Sequence, residues 1–297
     1  MLPALLTTLL WSVSVVCATR STHYLGSAVA NLTRLCLATA LLALWAHGFG
    51  KGLGGAGLWW FIFSGFIGFG LGDLALYEAL PLLGSRLTLL LAQCLAAPVG
   101  ALIEWLWLGT TLSVAQICAG LVILAGVTTA LAPKNHIHLD RKHLFIGAIF
   151  GVLAAIGQGG GAVLSRKAFL VITQAGQHID GGTAAYQRII GGIGVAAIYF
   201  ALLRARNPPA TGVVRMDWRK AWPWVIANTL GGPVLGVSCY QWALSTTPSG
   251  IVLPIVATLP LAVIPFAYRF EGDRPGWQSV VGGIIAVAGV VALTLVR

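Results

Sequence analysis

Five ionisable side chains stand inside long apolar stretches of this 297-residue chain: Arg34, Asp73, Glu78, Glu104 and Arg188. A charge at the centre of a membrane span costs about 2.5–3.5 kcal/mol on insertion scales. Each of the five therefore needs a partner, a water-filled cavity or an interfacial position. Asp73 and Tyr77 are four residues apart, which puts them on one helical face. A second, similar stretch has Ser238 and Gln241 where the first has Leu74 and Tyr77. Two polar stripes facing each other would make a binding site near mid-membrane; the competing reading is that they only bond to one another between helices. Trp11, deep in the first apolar stretch, is the aromatic candidate for the wall of that site. Arg34 and Arg188 occupy matching positions. They either bind a substrate carboxylate, close salt bridges at a gate, or tie helix ends to carbonyl groups. Arg34 is the partner expected for Asp73. The candidate substrate-binding set is thus Trp11, Arg34, Asp73, Tyr77, Arg188, Ser238 and Gln241.

The other polar residues are read more plainly. Glu78 lies about 100° around the helix from Tyr77 and is expected to reach the interface near Arg86. Glu104 stands beside Trp105 and Trp107 and is expected to snorkel to the interface. His136, His138, Asp140 and His143 have a metal-like spacing, but they fall in a polar connection where a solvated linker is expected. No metal site and no cofactor are expected. No Ser-His-Asp set, catalytic carboxylate pair or nucleotide loop stands at a credible place, so the chain reads as no enzyme. The run GQGGG at 157–161 lies inside an apolar stretch with no strand before it, so it is not a phosphate loop. Close helix packing and a flexible, cavity-lining point are its two readings.

The elements that must position these residues follow from composition. The chain is 58% hydrophobic and 9% charged, with mean hydropathy +0.88. Soluble domains carry about 25% charged residues, so this is an integral membrane protein in contact with lipid. A net charge of +10 fits basic loops against an anionic leaflet. No basic patch with interleaved aromatics lies outside the apolar stretches, and nucleic acid is not an expected partner. The five cysteines lie in apolar stretches, lack CxxC spacing, and read as small buried packing residues.

A membrane helix needs about 20 apolar residues. Ten spans fit: roughly 2–19, 26–47, 57–80, 84–107, 111–132, 144–165, 183–203, 221–244, 248–268 and 276–296. The stretch 68–131 recurs at 231–295 with an offset of 163–164: Leu71-Gly72 falls on Leu235-Gly236, and Gly120 and Gly126 fall on Gly283 and Gly289. The first two spans repeat less clearly, with Trp11 to Arg20 against Gly157 to Arg166 and Arg34 against Arg188. The first span has a partner in the second half, so it is expected to stay in the membrane rather than be cleaved as a signal peptide. The expected fold is all-α, with ten transmembrane helices in two five-helix repeats: 1–132, a connection at 133–143, and 144–297. An odd number of spans per repeat inverts the second copy. Pro98, Pro254, Pro260 and Pro265 are expected to kink spans 4 and 9.

This pattern resembles the drug/metabolite transporter superfamily in its ten-helix EamA form. The resemblance covers nearly the whole chain and rests on the two repeats, Trp11 in span 1, Arg34 early in span 2, the small residues before Tyr77, Pro98, and Gly120/Gly126. One departure is the corner after span 4, where the family often has Gly-Glu and this chain has Leu108-Gly109-Thr110. The resemblance implies a transporter in a bacterial inner membrane that exports amino acids or related small metabolites. The duplication itself points to a secondary transporter working by alternating access. Proton exchange through Asp73 and ion-free facilitated diffusion are both open. The alternative, an intramembrane enzyme acting on a lipid-linked substrate, would need acids, histidines or cysteines clustered at one membrane face. Twelve Lys and Arg fall in the loops 1–2, 3–4, 5–6, 7–8 and 9–10 and four on the opposite side, a count that favours both termini outside the cytoplasm, whereas the resemblance to the EamA form implies both inside.

Overall fold

The computed structural model describes residues 1–131, 141–206, 216–259, 261–263 and 277–296, and every element among them is helical. The chain runs through α1 (Leu2–Leu25), α2 (Ser27–Gly48), α3 (Leu58–Gly65), a π-helical segment (Phe66–Gly72) and α4 (Asp73–Leu108). It continues through α5 (Val114–Leu131), α6 (Arg141–Gln174), α7 (Gly181–Arg206), α8 (Trp218–Thr229), a second π-helical segment (Leu230–Val234), α9 (Leu235–Thr246), α10 (Ser249–Val256) and α11 (Trp277–Leu295). Among the described residues six helices are long and apolar enough to cross a membrane, and Val114–Ala130 and Val280–Leu293 are shorter apolar helices. The connection holding His136, His138 and Asp140, and the positions of Pro260 and Pro265, lie outside the described residues. Pro98 is accommodated within α4 and Pro254 within α10.

The two π-helical segments fall at equivalent places, since the offset of 164 carries Phe66 onto Leu230. Each is rich in glycine, and π-helical turns commonly mark functional positions in membrane and soluble helices alike. The contacts repeat in the same way. Gly72 packs against Gly157, and its counterpart Gly236 packs against Trp11, the counterpart of Gly157. Gly126 meets Gly282 and Ala286, while Gly289 meets Ala119 and Ile123, the equivalent residues of the other copy. As α5 advances from 119 to 130, its contacts on α11 descend from 289 to 282, so the pair is antiparallel. A reciprocal contact between antiparallel helices requires a twofold axis perpendicular to them. That is the relation between inverted halves.

Small residues let these helices approach closely. A Cβ on Gly65 would collide with the carbonyl oxygen of Arg188, and one on Gly191 with that of Ile62. The run 157–161 packs as continuous helix: Gly159 lies against the Ala96 carbonyl and Gly161 against Gly68 and the Ser64 carbonyl. Its pairing with Gly72 and Gly68, continued by Ala168 and Ile172 against Gly57, runs antiparallel to the first apolar half of α3–α4, whereas Gly151 and Gly159 follow Leu91 and Gly100 in parallel. Thus α6 is wedged between two apolar runs, Leu58–Leu83 and Thr88–Leu108, that point in opposite directions, so α4 is no straight rod but doubles back between these runs. At the far end, Gly109 takes φ +69°, the left-handed cap that ends a helix. This is the corner where the sequence departs from the family pattern.

Trp59, Trp105, Trp107, Trp222 and Trp277 are exposed, as helix-end tryptophans should be. The cysteines differ from expectation: Cys17 is buried, but Cys36 and Cys118 face outward. A small apolar thiol is as compatible with lipid as with the core, which is why burial did not follow from position.

Candidate functional site

A cavity of ≈ 90 Å³ lies between the two halves. The first half contributes Trp11, Ser14, Arg34, Phe69, Asp73, Tyr77 and Gln93; the second contributes Gln158, Arg188, Asn228, Pro233 and Val237. That volume holds several waters, so charged walls are tolerable here. The lining follows α1 from Trp11 to Ala18 and the neighbouring helix from Gly68 to Leu80, then Leu89 to Gln93. The cavity therefore sits toward the end of the bundle where α1 finishes and the chain turns back after Leu83.

The expected partner of Asp73 is present. Arg34 Nη2 lies 2.5 Å from Asp73 Oδ2, and Arg34 Nε donates to Asn31 Oδ1 at 3.0 Å. The guanidinium also stands 5.0 Å over the Tyr77 ring, a cation–π contact. Asn228 Nδ2 donates to the Tyr77 hydroxyl at 3.3 Å, and Ser14 donates to Asn228 Oδ1 at 2.7 Å. One network thus ties α1, α2, α4 and α8 around the cavity. Its ion pair supplies the counter-charge that a buried carboxylate needs.

Arg188, equivalent to Arg34, is buried and has a different environment. Its guanidinium lies 5.1 Å from the Phe69 ring centroid and 5.7 Å from that of Tyr240. Its Nε has no hydrogen-bond partner. Gly68 and Gly161 make room for it, because a Cβ on either would crowd Nη2. Tyr240 in turn contacts Trp11, with ring centroids 5.2 Å apart.

Five of the seven expected residues, Trp11, Arg34, Asp73, Tyr77 and Arg188, line this cavity. Ser238 and Gln241 do not. The Ser238 hydroxyl donates to its own helix at the Val234 carbonyl, 2.5 Å away, a local bond that removes it from the cavity face. Gln241 is fully buried with both amide atoms unpartnered. The cavity face of α9 carries Val237 instead, so polarity was a poor guide to helical phase there.

One acid is corrected. Glu104 does not snorkel. It is 2% exposed and accepts from the Ser249 backbone N–H at 2.6 Å, from the Ser249 hydroxyl, and from Arg166 Nε at 3.4 Å. Arg166 also donates to the Leu244 carbonyl at 2.6 Å. Glu104 therefore caps α10, where unsatisfied N–H groups and the helix dipole favour an anion. This clasp joins α4, α6, α9 and α10 at the end of the bundle away from the cavity. Glu78 accepts from the Tyr199 hydroxyl at 3.0 Å, a contact across helices that sequence spacing does not reveal, and the side chain of Arg86, its expected neighbour, lies outside the described residues. Ser14, Gln93, Gln158 and Asn228 were missed because an uncharged side chain gives no charge signal. A lone amide deep in an apolar span was the available clue.

A protein-family model described as the EamA-like transporter family matches residues 1–132 and 145–295. A crystal structure of another protein, 17% identical, aligns with a TM-score of 0.77 over 100% of this chain and 98% of its own, which shows the fold. No curated protein matches the sequence.

Proposed function

The chain belongs to the EamA-like transporter family, and on that premise we propose that it is a secondary transporter of small metabolites working by alternating access between two inverted five-helix repeats. The ten-span reading treats the continuous helical stretch from Trp218 to Thr246 as the eighth crossing. The observation that carries the proposal is the cavity, which takes its walls from both repeats and holds the buried Arg34–Asp73 pair. The substrates are amino acids or related solutes, and the direction is export. On the charge-count topology, the cavity end of the bundle faces the cytoplasm and the Glu104 clasp closes the opposite end.

The ionisable groups of the cavity wall are Arg34, Asp73, Tyr77 and Arg188. They make an ion-paired binding surface rather than the cluster of acids, histidines or cysteines that the enzyme alternative requires. Counterflow in proteoliposomes tests the proposal. Asp73→Asn should slow exchange or change its pH profile while expression and insertion are retained. Tyr77→Ala should weaken binding by about 1–3 kcal/mol through the lost buried hydrogen bond. Wild-type rates and pH profiles in both variants would take the cavity out of the transport path.

A further inference from the structure

The duplication left two arginines in the cavity but only one carboxylate. Arg34 has Asp73. The offset of 164 that carries Tyr77 onto Gln241 carries Asp73 onto Val237, which lines the same cavity. Arg188 therefore has an apolar residue where its twin has a counter-ion. No ion pair to Arg188 occurs among the described residues, its Nε is unpartnered, and it is 3% exposed. Gln158, which lines the cavity from α6 one turn before Gly161, also has an unpartnered amide nitrogen, Nε2. Two neighbouring acceptors are engaged: Asp73 Oδ2 by Arg34, and Asn228 Oδ1 by Ser14. The site thus offers spare donors and one positive charge in excess of its carboxylates, walled by Trp11 and Phe69, with Tyr240 packed behind Trp11 and Arg188.

Resting on the transporter reading above, we infer that the substrate bears a carboxylate, and that this group occupies the counter-ion position that Val237 leaves vacant beside Arg188. An anion entering there restores the pairing that the other repeat builds into its own chain. An ammonium group meets one carboxylate in this lining, Asp73, which is already paired with Arg34, so a cationic solute is disfavoured. The body of the solute is apolar or aromatic and lies against the ring-lined wall.

The test uses the full chain, purified into lipid nanodiscs, with calorimetric titration of two matched probe sets. One set is propionate, propylamine and 1-propanol; the other is phenylacetate, phenethylamine and 2-phenylethanol. At least one of the two acids should bind, and at least tenfold more tightly than its amine and alcohol partners. Arg188→Gln should weaken that acid at least tenfold, since a charge-assisted bond is lost. Val237→Asp should abolish acid binding by supplying an internal counter-ion, while Val237→Asn, of the same size but neutral, should retain more of it. Thermal unfolding identifies any variant that has failed to fold, and Arg188→Met, also neutral, then replaces Arg188→Gln. Failure of both acids to bind, equal binding of an amine or alcohol, or unchanged acid binding in Arg188→Gln and Val237→Asp overturns the inference. Flux in proteoliposomes is read separately. Acid binding without flux would refute the transporter reading and leave the anion site standing.

Discussion

Glu104 offers the sharpest test of how one end of the bundle is held shut. Its carboxylate is 2% exposed and accepts three hydrogen bonds, from the Ser249 N–H, the Ser249 hydroxyl and Arg166 Nε. Removing one member of a buried pair costs about 3–5 kcal/mol, because the remaining charge is stranded. Arg166 keeps its bond to the Leu244 carbonyl, so Glu104→Ala should fall at the lower end, about 3 kcal/mol. Glu104→Gln keeps an acceptor for the Ser249 N–H but loses the charge, and should cost about 1.5–3 kcal/mol. Ser249→Ala removes only the hydroxyl, at about 1 kcal/mol. Because Glu104 and Ser249 share a bond, the double variant should show a coupling energy of at least about 0.5 kcal/mol. The assay is reversible unfolding in mixed micelles for wild type, both single variants and the double variant. Additive effects, or a Glu104→Gln protein as stable as wild type, would refute the clasp and return Glu104 to the role of an interfacial acid.

Three further outcomes are expected. Gly65→Ala should destabilise the bundle and weaken ligand binding together, since its methyl group displaces the Arg188 backbone; calorimetry on a variant that still folds checks both, and an unaltered affinity would contradict it. Asp180, in the loop before α7, accepts from the Thr183 N–H at 2.9 Å and from Trp45 Nε1 at 2.9 Å. Burial raises its pKa, but the bonds from Thr183 and Trp45 outweigh this and hold it below the usual carboxylate range. Its stabilising contribution is therefore present above the unfolded value of about 4 and lost as pH falls through the lower folded value. Asp180→Asn, an equally good cap, should remove that acid sensitivity at little cost at neutral pH, whereas Asp180→Ala should cost about 0.5–2 kcal/mol; melting curves from pH 3 to 7 decide it. For topology, cysteines introduced at Gln174 and Arg219, with the native cysteines replaced, should react differently with an impermeant reagent in intact cells. Label at 174 and none at 219 is expected, and the reverse pattern would place the termini in the cytoplasm.

Composition and periodicity were enough to read a helical membrane protein from the chain, because nothing else satisfies backbone groups in lipid. The repeat offset also survived folding in detail. It predicted that Trp11 and Gly157 are counterparts, and the structure seats them against Gly236 and Gly72. The Arg34–Asp73 pair was legible for a physical reason: two opposite charges that cannot stay in lipid alone must find one another or water. Helical phase at close range was not legible. Ser238 and Gln241 are polar, yet the residue that faces the cavity from α9 is Val237, because a serine can satisfy itself on its own helix. Nor could sequence show that Glu104 reaches Ser249, 145 residues away. Which helix end arrives beside which carboxylate is decided by packing of small residues between helices, and only the tertiary structure fixes that.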